Sequence, residues 1–367
     1  MIQESDLIYL RATVELAEGG LYSCTPNPRV GCIIIRDGLI LGRGWHVRAG
    51  QAHAEVNAMN DALSRGYSDL RGATVYVSLE PCSFHGRTPP CSESLIRAKV
   101  GRVVAAMSDP HPKVLGQGFT ELRNAGIDVD LIELPEARSL NAGYGKRMTS
   151  GRPLVRLKVA TSLDGRTAMA SGESQWITGD VARADGQYWR ARSCAIVTGI
   201  GTVLADNPKL TVRDERFAVE GSIRQPVRVI VDTRLRTPPE AELLHAQGEV
   251  LMAHGEGAES QLAGVEHIAM GNTQVDLNTL LEKLGERGCN EVLVEAGATL
   301  LGSFITEQLW DELIVYLAPR FLGSDAKPLA YLPLGKMDEV VNARIFDCTQ
   351  VGDDLRIRLL PAETAHP

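Results

Sequence analysis

The sequence lacks most features that would signal a polyanionic or membrane partner. It has no long run of Lys or Arg, and its 38 basic residues are outnumbered by 46 acidic ones, a formal net charge of -8 at pH 7. That balance does not attract nucleic-acid phosphates or anionic lipid, so a polyanionic partner would need a local basic patch. No apolar window approaches the length of a bilayer span. The first residues, MIQESDLIYLRATVELAEGG, are amphipathic and acidic, without the basic start, apolar run and small-residue cleavage site of a secretory signal. The expectation is a cytoplasmic protein with neither nucleic acid nor membrane as partner. Short-period repeats and low-complexity tracts are missing too, which sets aside solenoids and linker arrays. The 7 cysteines, at 24, 32, 82, 91, 194, 289 and 348, are odd in number and scattered, and read as reduced thiols rather than a disulfide framework.

What is present suggests an α/β protein in two parts. At 367 residues the chain exceeds one ordinary core, since a domain takes roughly 100 to 200 residues. The composition, 44% apolar and 23% charged, is that of a chain able to bury a large core. Leu7, Leu10, Val14 and Ala17 recur at helical spacing behind Ser5, a candidate N-cap. VGCIIIR and LILGRGW flank Asp37-Gly38, a dipeptide that accepts the positive φ angles of a tight hairpin turn. Helix and strand then alternate: helix from His53 to Ser64, strand ATVYVSLE, helix from Ser92 to Lys99, strand RVVAAMSD, helix from Phe119 to Asn124, strand DVDLI. That order predicts a largely parallel sheet with covered faces. The segment GYGKRMTSGRP interrupts the pattern, which puts a linker near residues 146 to 152 and domains at 1–146 and 152–367. Beyond it LVRLKVATS, CAIVTGI, PVRVIVDT, EVLMAH, EVLVEAG and ELIVYLAP read as buried strands, with helical stretches such as LNTLLEKLGERG between several of them.

The chemistry concentrates first between His53 and Cys91. Zinc takes imidazole nitrogen and thiolate sulfur in a tetrahedral shell, and a catalytic site offers only three protein ligands so that one vertex stays open for water. His53 at a helix start, Cys82 directly after a strand and Cys91 at the next helix start make three, and the positive end of that helix favours thiolate. Two thiolates cancel the ion's charge, and the metal lowers the pKa of water towards neutrality. Glu55, two residues after His53, is placed to face the open vertex and carry a proton to a leaving amine. HAE followed by EPC is the pattern of the zinc nucleobase deaminases, although eight residues rather than two separate the cysteines here. The loop SFHGRTPP between them reads as substrate-binding, with Arg87 suited to a phosphate. Asn27, between two prolines in CTPNPRVG, either hydrogen-bonds a ring edge or is a turn residue. The competing reading is a structural zinc closed by a fourth ligand such as His85 or Cys24, which would leave Glu55 without a task.

The second half is less explicit. Gly199 and Gly201 in TGIGTVLAD and Gly297 in VEAGATLLGS follow strands, where backbone amides at helix starts cradle phosphates, but no complete G-x-G-x-x-G is present. Asp232 ends VRVIVD where an acid would bind a ribose hydroxyl, while Arg234 and Arg236 just beyond it suit a 2′-phosphate instead.

TPNPRVGC, GWHVRAGQAHAE, LEPCSFHGRTPPC, LKVATSLDGRTAMASGESQWIT and TVLADNPKLTVR together resemble the bifunctional riboflavin-biosynthesis family, a deaminase of a diaminohydroxyphosphoribosylaminopyrimidine fused to a 5-amino-6-(5-phosphoribosylamino)uracil reductase. The resemblance implies a cytidine-deaminase-like α/β/α layer domain followed by a dihydrofolate-reductase-like α/β domain. It also implies one Zn2+ per chain on His53, Cys82 and Cys91, proton transfer by Glu55, and substrate contacts from Asn27, His46 and Arg87. Phe84 stands where the family often carries His, which puts one substrate contact in doubt. In the second domain the resemblance implies NADPH bound by Ala160, Trp176, Thr202, Asp206, Asp232 and the loop Gly297, Ala298, Thr299, Leu300, Leu301, Gly302 and Ser303. Substrate would be bound by Ser174, Arg190, Leu210, Arg213 and Glu295, with Lys158 and Asp206 as the catalytic pair and Arg190 and Arg213 forking onto a phosphate. A homodimer or homotetramer is implied as well. Two rivals stand against this reading: a single-activity deaminase of a free nucleoside or tRNA base, and a non-catalytic zinc-stabilised binding protein.

Overall fold

A computed structural model describes residues 3–84, 89–112, 114–258, 262, 264–271 and 273–362, and divides the chain into the compact units Met1–Gly151 and Arg152–Pro367. Among the described residues no helix is long and apolar enough to cross a membrane.

The first unit contains α1 (Glu4–Ala17), β1 (Gly31–Arg36), β2 (Leu39–Trp45), α2 (Ala54–Ser64), β3 (Thr74–Val77), α3 (Cys91–Arg97), β4 (Arg102–Ala105), α4 (Gln117–Asn124), β5 (Asp128–Leu131), α5 (Pro135–Leu140) and α6 (Ala142–Ser150). The sheet order is β2-β1-β3-β4-β5. It is parallel only from β3 onward, because β1 runs antiparallel to both β2 and β3. Alternation along each strand splits continuous apolar runs between two cores. Ile33, Ile35, Tyr76 and Val104 face Leu10 and Val14 of α1 and Ala137 of α5. Cys32, Ile34, Val75, Val77, Val103 and Ala105 face α2, α3 and α4.

Three local features decide how this unit is built. Helix α1 begins at Glu4 with Gln3 as its cap rather than Ser5: Asp6 Oδ2 accepts from Gln3 N–H at 2.8 Å, while Tyr76 and Arg102 hold the same carboxylate at 2.7 and 2.9 Å. These tertiary partners select the start. The hairpin turns on Asp37 (φ 54°) and Gly38 (φ 75°), both left-handed as a primed turn requires. Finally, α2 lies directly on β2 because Gly42 and Gly44 have no side chains. A Cβ at Gly42 would sit 2.2 Å from Ala58 O, and one at Gly44 2.5 Å from Ala58 N. That close approach sets where His53 and Glu55, in the first turn of α2, are delivered. At Gly38, by contrast, an added Cβ meets nothing within 4 Å. Gly38→Ala should therefore cost only the left-handed strain, about 1 to 2 kcal/mol, lowering the melting temperature of this unit by a few degrees; calorimetry on the variant checks this.

The segment expected to be a linker is helical: α6 runs to Ser150 and ends on Gly151 in the left-handed conformation (φ 76°). The second unit holds β6 (Leu154–Ser162), β7 (Arg166–Ala168), α7 (Asp180–Arg192), β8 (Ala195–Gly199), α8 (Ile200–Asp206), β9 (Val227–Val231), α9 (Glu242–His245), β10 (Val250–His254) and β11 (Glu266–Ala269). It continues with α10 (Leu277–Glu286), β12 (Glu291–Val294), α11 (Ala298–Thr306), β13 (Glu312–Ala318), β14 (Lys327–Pro328), β15 (Ala343–Val351) and β16 (Asp354–Pro361). Its main sheet has the order β11-β10-β9-β8-β12-β6-β13-β16-β15, parallel as far as β13 and closed by the antiparallel β16 and β15. One face packs on α10 and α11 through Leu280, Leu284, Leu301 and Phe304. The other carries Trp189 of α7 against Ile196, Leu293 and Tyr316. Beside Trp189, Arg156 bridges the buried Glu291 and Glu312, and Arg192 shares Glu291. The charges are paired there, as burial demands.

Candidate functional site

In the first unit the sheet and two helix starts bring a nitrogen and two sulfurs together. Among the described residues, His53, Cys82 and Cys91 form a group whose ligand atoms all lie within 4.8 Å of one another. His53 is the N-cap residue of α2, Cys82 follows β3, and Cys91 opens α3. Cys91 N–H donates to Cys82 Sγ at 3.4 Å, and His53 Nδ1 lies 3.3 Å from Cys91 Sγ and 3.6 Å from Cys82 Sγ. Hydrogen bonds from Cys91 and His53 hold the Cys82 thiol down at about 4, despite its burial. Cys91 is pushed up by the same bond to Cys82 and by burial, while the bond to Cys82 raises His53. This is how a soft N,S,S donor set behaves before its protons are displaced by a cation. Cys24, offered as a fourth ligand, is not in the group, and its thiol points to Asn27 O at 3.5 Å. His85 and Arg87 lie outside the described residues.

Glu55 is 3% exposed and is not part of the ligand group; burial, helped by the Cys82 charge, pushes its carboxyl up from the ordinary range. A buried acid that touches no compensating cation of its own is suited to proton transfer. Asn27 Nδ2 lies 3.0 Å from Nε2 of the buried His46, whose Nδ1 is 3.0 Å from Ala52 O. That nitrogen must donate to the carbonyl, so Nε2 accepts from the Asn27 amide. The His46 ring stands edge-on to His53, with centroids 5.2 Å apart, tying Asn27 to the His53, Cys82 and Cys91 group. Phe84 is 43% exposed and stacks on His111. Glu80, the acid of EPC, is structural: its carboxylate accepts from the backbone of Asp109, Gly116 and Phe119 and fastens the loop after β4.

The second unit contains a cavity of about 1230 Å³ at the carboxyl ends of its parallel strands. Lys158, Ala160, Ser174, Trp176, Arg190, Thr202, Asp206, Leu210, Arg213, Glu295, Gly297, Ala298, Thr299, Leu300 and Ser303 all line it. Three residues expected there do not. Leu301 is wholly buried in the core, Gly302 packs so that a Cβ would lie 2.1 Å from Tyr331 O, and Asp232 is 0% exposed. Asp232 turns inward because its Oδ2 accepts from Thr237 N and Thr237 Oγ1, both at 2.8 Å, which bends the chain after β9.

Two charge pairings also differ from expectation. The Arg190 fork is taken by Glu295, at 2.6 and 3.0 Å, rather than left for a phosphate, whereas Arg213 is exposed, lines the cavity and makes no ion pair among the described residues. Lys158 sits 3.6 Å from Glu295 rather than pairing with Asp206, whose Oδ1 accepts from Ser174 Oγ at 2.7 Å. Burial would raise the Glu295 acid, but the neighbouring Arg190 and Lys158 bring it to about 2. Arg183 was missed: it stacks over Trp176 at 4.5 Å and lines the cavity with Gln187. The spacing of Arg183, Gln187 and Arg190 on α7 would have found it, since residues three and four apart share a helix face.

The cavity also fits a dinucleotide. A Cβ at Gly201 would meet no atom within 4 Å, so the space beside its backbone belongs to the cavity. The first-turn amides of α11, which have no acceptors within the helix, open onto the same wall.

Residues 153–357 match the RibD C-terminal domain, and residues 3–107 match the cytidine and deoxycytidylate deaminase zinc-binding region. The riboflavin biosynthesis protein RibD of Escherichia coli strain K12 is 44% identical over 369 residues, covering 97% of this chain and 100% of that one. RibD of Haemophilus influenzae is 43% identical over 370 residues, covering 97% of each. Among solved structures, Acinetobacter baumannii RibD superposes with a TM-score of 0.91 at 44% identity, covering 98% of this chain and 99% of that one. The diaminohydroxyphosphoribosylaminopyrimidine deaminase/5-amino-6-(5-phosphoribosylamino)uracil reductase of Thermotoga maritima superposes with 0.87 at 32% identity, covering 97% and 99%. Running through both units, these matches show that the chain belongs to the RibD family of riboflavin-biosynthesis proteins, deaminase and reductase in one polypeptide.

Proposed function

We propose that Met1–Gly151 hydrolytically removes an amino group from 2,5-diamino-6-(5-phosphoribosylamino)pyrimidin-4(3H)-one, and that Arg152–Pro367 then uses NADPH to reduce the ribosyl group of the product to ribityl. The observation that carries the first step is a three-ligand N,S,S cluster beside a buried carboxylate that is not a ligand. His53, Cys82 and Cys91 would hold one zinc ion per chain, which would supply the Lewis acidity that makes water nucleophilic near neutral pH. Glu55 takes the proton released as the water oxygen bonds to the amino-bearing ring carbon. It passes that proton to the adjacent ring nitrogen, then takes the second proton from the new hydroxyl and gives it to the amino nitrogen, which leaves as ammonia as the ring carbon becomes a carbonyl. Asn27, oriented by His46, presents its remaining amide oxygen to the pyrimidine edge, and Arg87 takes the phosphate.

In the second unit the cavity lined by Thr202 and Gly297–Thr299 would hold NADPH, which would supply the hydride for C1′. Opening the sugar at the C1′–O bond requires a proton at the ring oxygen, and Lys158 carries one at Nζ, held by Glu295. Asp206, steadied by Ser174, orients the sugar hydroxyls, and Arg213 is left for the phosphate. Arg190 acts through Glu295 by fixing its carboxylate. The cytoplasm suits the seven free cysteines. Self-association as a homodimer or homotetramer is part of the same reading, supported by the exposed Ile345 and Phe346 on the edge strand β15.

The assay supplies the phosphoribosylaminopyrimidine with and without NADPH. Ammonia should appear in both reactions, and NADPH oxidation should follow deamination. A chelator should stop ammonia release while leaving oxidation intact when the deaminated intermediate is supplied directly. Failure to oxidise NADPH with that intermediate would remove the reductase reading.

A further inference from the structure

Lys158 is held from two sides, and only one of them is on the cavity wall. That side is Glu295, whose Oε2 stands 3.6 Å from Lys158 Nζ, beyond the reach of a made hydrogen bond. The other side lies behind the wall. On the neighbouring parallel strand β13, Ile314 is in register with Lys158 and Tyr316 with Ala160, so the lysine and the tyrosine share one face of the sheet. Lys158 Nζ lies over the Tyr316 ring, 5.7 Å from its centroid, where the negative face of the ring attracts a cation. Tyr316 is 1% exposed and does not line the cavity, so a sugar bound there touches Lys158 and not Tyr316.

Both sides are fastened to α7. Asp185 and Trp189, four residues apart on that helix, share the Tyr316 hydroxyl: it donates to Asp185 Oδ2 at 2.5 Å and accepts from Trp189 Nε1 at 2.9 Å. Asp185 is itself held by Arg356 of β16 at 3.0 Å. The next residue of α7, Arg190, grips Glu295 at 2.6 and 3.0 Å. A phenol whose hydroxyl is engaged in both directions keeps its ring in one plane, so the face offered to Lys158 is fixed. Burial, and after it the bond to Asp185, push that phenol up from its ordinary range, which keeps it neutral and leaves it a ring face rather than a proton to offer. With Glu295 as its sole neighbour of opposite sign, the ammonium would close onto the carboxylate. The ring draws it the other way, and its N–H groups stay turned to the cavity.

We propose that Tyr316 is a positioning residue of the reductase, its ring face holding the Lys158 ammonium off Glu295 and aimed at the oxygen of the opening sugar. This rests on the reading of Lys158 as the proton donor. The test uses the full-length protein with the deaminated intermediate and NADPH, and replaces Tyr316 by phenylalanine and then by mono-, di- and trifluorophenylalanine. Fluorine drains the ring face while scarcely changing its shape. A cation held on such a face is worth roughly 3- to 30-fold in rate. Tyr316→Phe keeps the face and should hold kcat for reduction within about twofold, with a lower melting temperature because Asp185 and Trp189 lose a partner. Across the fluorinated series kcat should then fall stepwise, by about 10-fold in all, while KM for the intermediate, the deamination rate and the melting temperature stay at their Tyr316→Phe values. A flat kcat across the series would overturn the proposal, and so would a kcat already lost in Tyr316→Phe, which would place the effect in the hydroxyl. Lys158→Met tests the reading underneath: full reduction in that variant would remove the lysine as proton donor, whereas an inactive Lys158→Met beside a flat fluorine series would remove Tyr316 alone.

Discussion

Glu55→Gln should reduce deamination by about a thousandfold while leaving bound zinc, the melting temperature and the reductase rate unchanged. The magnitude follows from the role: a positioned proton carrier contributes roughly 10² to 10⁴ in rate. The selectivity follows from the geometry. Glu55 is buried in the first turn of α2 but stands outside the His53, Cys82 and Cys91 cluster, so neutralising it removes no ligand. Glutamine matches its shape, and burial already disfavours the charged form, so the fold loses little. Metal analysis, thermal unfolding and an ammonia assay on the same preparation check all three parts. A variant that lost its zinc along with its activity would make Glu55 a ligand and return the site to a structural one.

The second large effect is expected from Cys82→Ser, which should abolish deamination and release the metal. Cys82 accepts from Cys91 N–H and lies beside His53, so its sulfur is central to the cluster. Serine offers a harder, far less acidic donor in its place. Because a metal that binds only the folded state stabilises it by mass action, its loss should remove about 4 kcal/mol at a thousandfold excess over Kd. For a unit of this size that corresponds to a fall of about 10 °C in melting temperature. Reduction of the deaminated intermediate should continue at the normal rate. The contrast with Glu55→Gln separates holding the ion from moving the proton: equal destabilisation by both variants would contradict that division.

How much of this was legible from the sequence varied from residue to residue. His53, Glu55 and Cys91 could be read because each lies in or beside the first turn of a helix that local signals mark, and Cys82 because it follows an apolar strand by a short stretch of loop. The turn at Asp37 and Gly38 was readable for the same reason. The helix start at Gln3 was not, since it depends on Tyr76 and Arg102, remote in the chain, holding Asp6. Nor was the hairpin β15 and β16 recognisable: β15 is mostly exposed, so it lacks the continuous apolar run that betrayed β6, β8 and β12. The helix α6 was not readable, because glycines at 143 and 145 look like breaks, yet Tyr144 anchors that turn in the interior; the units still divide after Gly151, within the 146–152 segment.

From the sequence alone came the α/β class, the two-part organisation, the grouping of His53, Cys82 and Cys91 and the acid beside them that we propose as proton carrier, because period, cap and donor chemistry are local properties that survive without coordinates. Only the tertiary structure decided which charges are available. Asp232 and Arg190 have the right chemistry for a ligand, but the fold commits one to Thr237 and the other to Glu295, and leaves Arg213 and Arg236 facing the cavity. The physical reason is that a charged side chain serves a ligand only if no nearer partner satisfies it, and the nearest partner is set by packing between segments distant in the chain.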